Sequence, residues 1–353
     1  MLPNHHDARI SGLIPLITPA QLLAMHPATE QAIQTTALAR TQIEAILLGR
    51  NSRLFVVLGP CSIHDPAAAL DYGKKLKAII PLYEQQLCLI MRVYFEKPRT
   101  TIGWKGLIND PHLDNSCAIN EGLHIARQLL IDLAHEGIPT ATEFLDTISP
   151  RYIHDLIAWG AIGARTTESQ LHRALASGLS MPIGFKNGTN GNIQIAIDAI
   201  HAAAHPHHFL GTTPHGEAAI VSTRGNPMCH IILRGSQAGP NYSKEHINAV
   251  AQLTPSMMID CSHGNCEKDY LKQIEVATTL CEYIASGNTY IKAVMLESHL
   301  QEGKQTLDKK DMLVYGQSIT DACLSWEQTL PILDALAKAV DQRASNHSYT
   351  SLK

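Results

Sequence analysis

The 353 residues are 45% hydrophobic and 17% charged, enough apolar material for a substantial core, which excludes an intrinsically disordered chain. A formal charge of −4, from 28 basic and 32 acidic residues, excludes broad electrostatic attraction to nucleic acid or an anionic membrane and leaves room only for local cationic pockets. No apolar run is long enough to span a membrane, the N-terminal MLPNHHDARI lacks a signal region, and eight scattered cysteines form no CxxC pair, so a cytoplasmic protein with reduced thiols is expected.

Residues 1–50 precede the first strand, and Glu30 to Arg50 has Ile33, Ile43, Ile46 and Leu47 at helical spacing, which predicts an amphipathic helix. Leu54 to Leu58 (LFVVL) is a short β-branched run ended by Gly59-Pro60, as a buried parallel strand should be. Further strands are expected at Cys88 to Phe95, Pro139 to Glu143, Ala161 to Ala164, Pro182 to Lys186, Cys229 to Leu233, Ser256 to Cys261 and Lys292 to Glu297. Helical patterns lie between them at Glu121 to Leu133, Tyr152 to Trp159, Ile193 to Ala204 and Tyr270 to Ile284. This alternation predicts an α/β fold, a (β/α)8 TIM barrel over residues 51–345, with the residue 1–50 arm and helix plugging its floor. Residues 205–227, where HHFLG and EAAIVST flank a Thr-Pro-His-Gly turn, predict an inserted β-hairpin.

In such a barrel the active site lies at the C-terminal strand ends, so the residue closing each run is informative. Every strand here delivers an ionisable group. Cys61 follows the first; Arg92, Lys97 and Arg99 lie on and after the second; Glu143 ends the third and Arg165 follows the fourth. Lys186 ends the fifth, Arg234 follows the sixth, the seventh leads through Asp260 to His263, and Glu297 ends the eighth. Six basic side chains at one mouth would repel one another in an empty site, and unpaired buried charge is expensive. The convergence points to anionic ligands such as two phosphates and a carboxylate, which Arg grips through its planar fork and Lys as a point charge. Pro98 keeps Lys97 out of helical geometry, so Lys97 and Arg99 can serve one ligand or two adjacent ones.

Cys61, His263, Glu297 and, beyond the last strand, Asp321 together supply a thiolate, an imidazole and two carboxylates. That mixed set suits one divalent first-row ion, Mn, Fe, Co or Zn, and disfavours magnesium. Cys261 and Cys266 lack the paired spacing of a structural zinc site and are expected to pack. His205, His207 and His208 are expected on a solvated hairpin surface.

The stretches GPCSIHDP (59–66), MRVYFEKPRTTIGWKGL (91–107), GARTTESQ (163–170), GFKNGT (184–189), HIILRG (230–235), DCSHGN (260–265), ESHL (297–300) and SITDACLSW (318–326) carry a specific likeness. From Arg40 to Ala339 the chain resembles class I 3-deoxy-D-arabino-heptulosonate-7-phosphate synthases. The resemblance implies condensation of phosphoenolpyruvate with erythrose 4-phosphate, the first step of the shikimate pathway. It implies Cys61, His263, Glu297 and Asp321 as metal ligands, and Arg92, Lys97, Ala164, Arg165, Lys186 and Arg234 around phosphoenolpyruvate. It also implies that Glu143 places a water, that Lys97, Arg99 and Thr100 meet erythrose 4-phosphate, and that Lys97, Glu143, His263 and Asp321 take part in catalysis.

Two rival readings are another phosphoenolpyruvate-dependent sugar-acid synthase, such as one acting on arabinose 5-phosphate, and a catalytically silent barrel that binds phosphorylated metabolites. The resemblance further implies a homodimer or homotetramer inhibited by an aromatic amino acid. The inhibitor would sit in a pocket of the hairpin, neighbouring helices and a partner's N-terminal arm, at Pro150, Leu175, Leu179, Ser180, Phe209, Gly211 and Val221. The alternative is that these residues only pack the hairpin onto the barrel. Glycine at position 211 tends to accompany tyrosine sensitivity in that family.

Overall fold

The structure, a computed structural model, describes residues 9–99, 101–307 and 312–350. Its strands are β1 (Leu54–Gly59), β2 (Leu87–Arg92), β3 (Thr140–Glu143), β4 (Trp159–Ile162), β5 (Ile183–Lys186), β6 (His208–Thr212), β7 (Ala218–Ser222), β8 (Cys229–Leu233), β9 (Met257–Asp260) and β10 (Ile291–Glu297). All but β6 and β7 pair in parallel and close in the order β1-β10-β9-β8-β5-β4-β3-β2. The barrel strands are buried along nearly their whole length, as strands covered on both faces must be. Strands β6 and β7 instead form an antiparallel hairpin whose residues alternate between exposed and half-buried.

The helices are α1 (Pro19–Met25), α2 (Glu30–Leu47), α3 (Pro66–Tyr83), α4 (Ile119–His135), α5 (Pro150–Ile153), α6 (Gln170–Ala176), α7 (Gln194–Ala203), α8 (Lys244–Ala251), α9 (Lys272–Ala285) and α10 (Trp326–Thr350). Local chemistry sets several starts. Asp65 caps α3 by accepting bonds from the Ala67 and Ala68 amides, with Pro66 in the first turn, so the chain leaves β1, passes Cys61 and enters a helix within a few residues.

Successive strand side chains point to opposite faces, and this alternation sorts the core. Phe55 and Val57, Cys88 and Ile90, Ala141, Trp159 and Ala161, Ile232, Met258, Ala293 and Met295 pack together inside the barrel. Ala39, Ile43, Ile46 and Leu47 of α2 join that cluster, so α2 stops the barrel floor as expected from the sequence. Arg40 anchors it by donating to the carbonyls of His154 and Ile157. Of the four apolar residues that define the expected face, Ile33 alone departs: it is 55% exposed, and the small residues Ala32, Thr35, Thr36 and Ala39 face inward in that part of the helix. Close approach to the barrel favours those short side chains over isoleucine.

Two strands also depart from their expected bounds by two residues or more. Strand β2 ends at Arg92 rather than Phe95, because the chain diverges there: the Val93 amide still donates to Ala141, and the Tyr94 carbonyl turns to the amide of Ile63 in the loop after β1. Strand β4 begins at Trp159, which the sequence reading ends a helix on. The observed helix α5 gives way to a single 3-10 turn, His154–Leu156, and Trp159 enters the barrel between Phe55 and His230.

His230 makes the floor sensitive to acid. It is buried and accepts a bond from Trp159 Nε1, and burial lowers its imidazole from 6.5 to about 4. A histidine held below its unfolded value keeps the native state neutral while the unfolded chain takes up a proton. Stability should therefore fall as pH drops from 6.5 toward 4, by at most roughly 3 kcal/mol. Urea unfolding of His230→Gln, which retains an acceptor for Trp159, should show a shallower acid loss than the parent; equal pH slopes would refute this.

Candidate active site

The alternation that fills the barrel with apolar side chains delivers charge at its C-terminal end. Two positions beyond Ile90, Ala141, Met258 and Met295, on the same faces, stand Arg92, Glu143, Asp260 and Glu297. Lys186 ends β5 and Arg234 follows Ile232 by the same step. Lys186 Nζ donates to Glu143 Oε2 at 2.7 Å, with both side chains buried. Burial alone would raise the Glu143 carboxyl, but Lys186, Lys97 and Arg92 outweigh it and hold it down at about 2. The carboxylate comes so near the residue after β4 that a Cβ at position 163 would lie 2.6 Å from Oε1, so a side chain there would displace it from Lys186.

Arg92 is fully buried and fully engaged. It donates to the carbonyls of Pro60 and Cys61 and to Glu297 Oε1 at 2.9 Å. The ring of Tyr94 lies under its guanidinium, 3.6 Å from Cζ to the centroid, and Lys97 and Lys186 lie within 6 Å of the same ring. Sequence reasoning gave Tyr94 no role. The available signal was its place two residues beyond Arg92, on the same face.

Ligand atoms of Cys61, Glu297 and Asp321 lie within 4.8 Å of one another. Cys61 Sγ is 3.5 Å from Asp321 Oδ2 and 3.1 Å from Lys97 Nζ. His263 Nε2 is 3.8 Å from Glu297 Oε1, and its Nδ1 is 2.8 Å from Asp260 Oδ2. Asp260, another residue without an assigned role in the sequence reading, is wholly buried; burial would raise its carboxyl, but His263, Lys186 and Ser262 together hold it ionised. A carboxylate on one ring nitrogen fixes the tautomer and leaves the other facing the trio, a common support for a metal-binding imidazole. His263 reaches this orientation at φ 58, a left-handed conformation costly for a residue with a Cβ and typical of functional loops.

This donor set fits the divalent ion expected from the sequence. Burial first, and Glu297 second, push the Cys61 thiol up to about 12, so the sulfur ionises here only when a cation offsets both. Asp321 is already ionised at about 2, because Lys97, His263 and Cys61 outweigh its burial.

Above the trio opens a cavity of about 850 Å³ lined by Lys97, Arg99, Glu143, Ala164, Arg165, Lys186, Arg234, His263, Glu297 and Asp321, among others. Arg92 does not line it. Arg234 Nε is buried without a hydrogen-bond partner among the described residues, and its backbone is fixed by Asn187, whose Oδ1 accepts from the Arg234 amide. Arg99 lies at the rim, its Nε donating to the Trp104 carbonyl. Thr100 lies outside the described residues. Cys261 is a core residue as expected, whereas Cys266 is buried and also borders the cavity. His205, His207 and His208 bond separately to His201, Ala202 and Ser222.

The residues tied by resemblance to an inhibitor lie on and beneath the hairpin. Phe209, Gly211 and Val221 are on its half-buried face, with Phe209 opposite Val221. Leu175 and Leu179 are buried, Pro150 starts α5 and Ser180 is exposed. The hairpin turn also meets the start of α1, where the Ala20 amide donates to the Pro214 carbonyl. Among the described residues no helix is long and apolar enough to cross a membrane.

Residues 27–334 match the family described as DAHP synthetase I. The chain is similar to the Phe-sensitive phospho-2-dehydro-3-deoxyheptonate aldolase of Escherichia coli strain K12, at 55% identity over 96% of this chain and 99% of that one. It is similar to the tyrosine-inhibited phospho-2-dehydro-3-deoxyheptonate aldolase of Schizosaccharomyces pombe, at 53% identity over 96% and 94%. The solved phospho-2-dehydro-3-deoxyheptonate aldolase of Francisella tularensis superposes with a TM-score of 0.93 at 52% identity, covering 95% of this chain and 99% of that one.

Proposed function

The chain belongs to the DAHP synthetase I family, and from that membership we propose that it joins phosphoenolpyruvate to erythrose 4-phosphate, releasing phosphate. The observation that carries this reading is one cavity whose lining brings Glu297 and Asp321, with Cys61 buried close behind them, together with the Lys186–Glu143 pair and the arginines Arg99, Arg165 and Arg234. Phosphoenolpyruvate is assigned to Lys97, Arg165, Lys186 and Arg234, with Arg92 adding charge from within the barrel. Arg99 and Thr100 are assigned to the phosphate of erythrose 4-phosphate.

Cys61, His263, Glu297 and Asp321 would hold one divalent ion, Mn, Fe, Co or Zn, which supplies Lewis acidity toward the aldehyde. C3 of phosphoenolpyruvate attacks the aldehyde carbon, and the C=C electron pair becomes the new C–C bond. Lys97 Nζ stabilises the aldehyde oxygen as it gains charge and a proton. Water then adds at C2, and the resulting phosphohemiketal expels phosphate as the C2–O bond breaks and the new hydroxyl loses its proton to leave a ketone. Glu143 accepts a bond from that water and orients it. A carboxylate held at about 2 is too weak a base to deprotonate water unaided, so its role is placement.

Tyrosine is the proposed inhibitor. Gly211 supports this, since a Cβ there would sit 2.7 Å from Val221 Cγ2 and narrow the inner face of the hairpin. The proposed assembly is a homodimer or homotetramer.

A coupled assay should show phosphate release from phosphoenolpyruvate with erythrose 4-phosphate and at least about tenfold less with arabinose 5-phosphate. EDTA should abolish the activity and a first-row divalent ion restore it. Tyrosine should inhibit more strongly than phenylalanine or tryptophan. Equal rates with both sugars, or activity indifferent to EDTA, would refute the respective assignments.

A further inference from the structure

Glu96 stands between Phe95 and Lys97 on the segment that leaves β2, is only 4% exposed, and does not line the cavity. Its carboxylate accepts three bonds, all from the loop after β3. Ser149 Oγ donates to Oε2 at 2.8 Å, the Asp146 amide donates to Oε1 at 3.3 Å, and the Leu145 amide reaches Oε2 at 3.5 Å. One side chain thus ties the segment carrying Lys97 to the segment that begins at Glu143. No barrel ladder does this, because β2 stops pairing at Arg92 and Ala141.

We propose that Glu96 is a positioning residue that holds Lys97 and Glu143 in the mutual arrangement the reaction needs. The proposal rests on the roles assigned above to those two residues. A bare carboxylate can accept from all three donors at once. A protonated one keeps a single strong acceptor and must donate its own hydrogen, so at least one tie to the β3 loop weakens. Losing it would loosen Lys97 relative to Cys61 and Glu143 relative to the attacking water, and displacements of about 1 Å at such positions cost up to about 100-fold in rate.

The groups facing Glu96 make this switch accessible. Burial first, then Asp146 on the neighbouring loop, push its carboxyl up to about 7 against the bonds from Ser149, Leu145 and Asp146. Lys97 is its neighbour in the chain, and His172 on α6 braces the same loop through the Leu145 carbonyl. Since the ionised form makes the ties, activity should fall as pH drops through about 7.

The test compares the full-length enzyme with Glu96→Gln and Glu96→Asp, measuring kcat and KM for both substrates from about pH 5.5 to 8.5 together with Tm. Glu96→Gln should lower kcat about tenfold at pH 8 and flatten the acid limb, with Tm within a few degrees of the parent. Glu96→Asp, which keeps the charge, should recover part of the rate and the limb. Glu96→Gln with the parental kcat, or with the acid limb intact, overturns the proposal. So does a loss of rate accounted for by a smaller folded fraction. A parent enzyme that makes no product from the two substrates overturns the reading of the site itself, a result distinct from an active parent whose Glu96→Gln variant behaves like it.

Discussion

Replacing Cys61 with alanine is expected to lower kcat by about a thousandfold and to abolish stoichiometric binding of a divalent metal. A Lewis acid contributes several kcal/mol at the developing charge, which corresponds to roughly that factor. The substitution should leave the fold intact, since Cys61 lies in the loop between β1 and the capped start of α3 and alanine fills most of its volume. It would also remove the sulfur on which Lys97 Nζ rests at 3.1 Å, so part of the loss would come from a less fixed lysine. Metal content after dialysis, measured beside the turnover rate, separates the two contributions. A Cys61→Ala enzyme that retains one metal per chain, or runs within tenfold of the parent, would refute the ligand assignment.

Arg234→Ala should raise KM for phosphoenolpyruvate by about 10- to 100-fold while changing KM for erythrose 4-phosphate much less. Hydrogen bonds to charged groups contribute about 1.5–3 kcal/mol each, which sets that range. Arg234 suits this test because its Nε is buried and unpartnered among the described residues, so its donor capacity is free for an anion. Its backbone is independently held by Asn187, so truncation should not collapse the loop. An unchanged KM for phosphoenolpyruvate would remove Arg234 from the anion site. Arg92→Ala is a poorer probe of binding, because it would strip Glu297, the Pro60 and Cys61 carbonyls and the Tyr94 face of their shared partner.

The contrast between Arg234 and Arg92 shows what kind of information the chain carries. Both were legible as cations at strand ends. That one lines the cavity while the other is wholly engaged below it depends on Glu297, more than 200 residues away, and on where the loop after β1 turns.

The order of strands, the charged groups at their C-terminal ends and the inserted hairpin were determined by the sequence alone, because each rests on a local pattern. A two-residue alternation assigns each strand side chain to a face wherever the strand packs, so Glu143, Lys186, Asp260 and Glu297 had to share the mouth once the barrel closed. Tertiary structure alone decided that Ile33 of α2 faces outward, where Trp159 belongs, the left-handed turn that sets His263 between Asp260 and Glu297, and the tie Glu96 makes across two loops. Those features depend on contacts between segments far apart in the chain, where packing overrides local preference, and no periodicity within a segment encodes them.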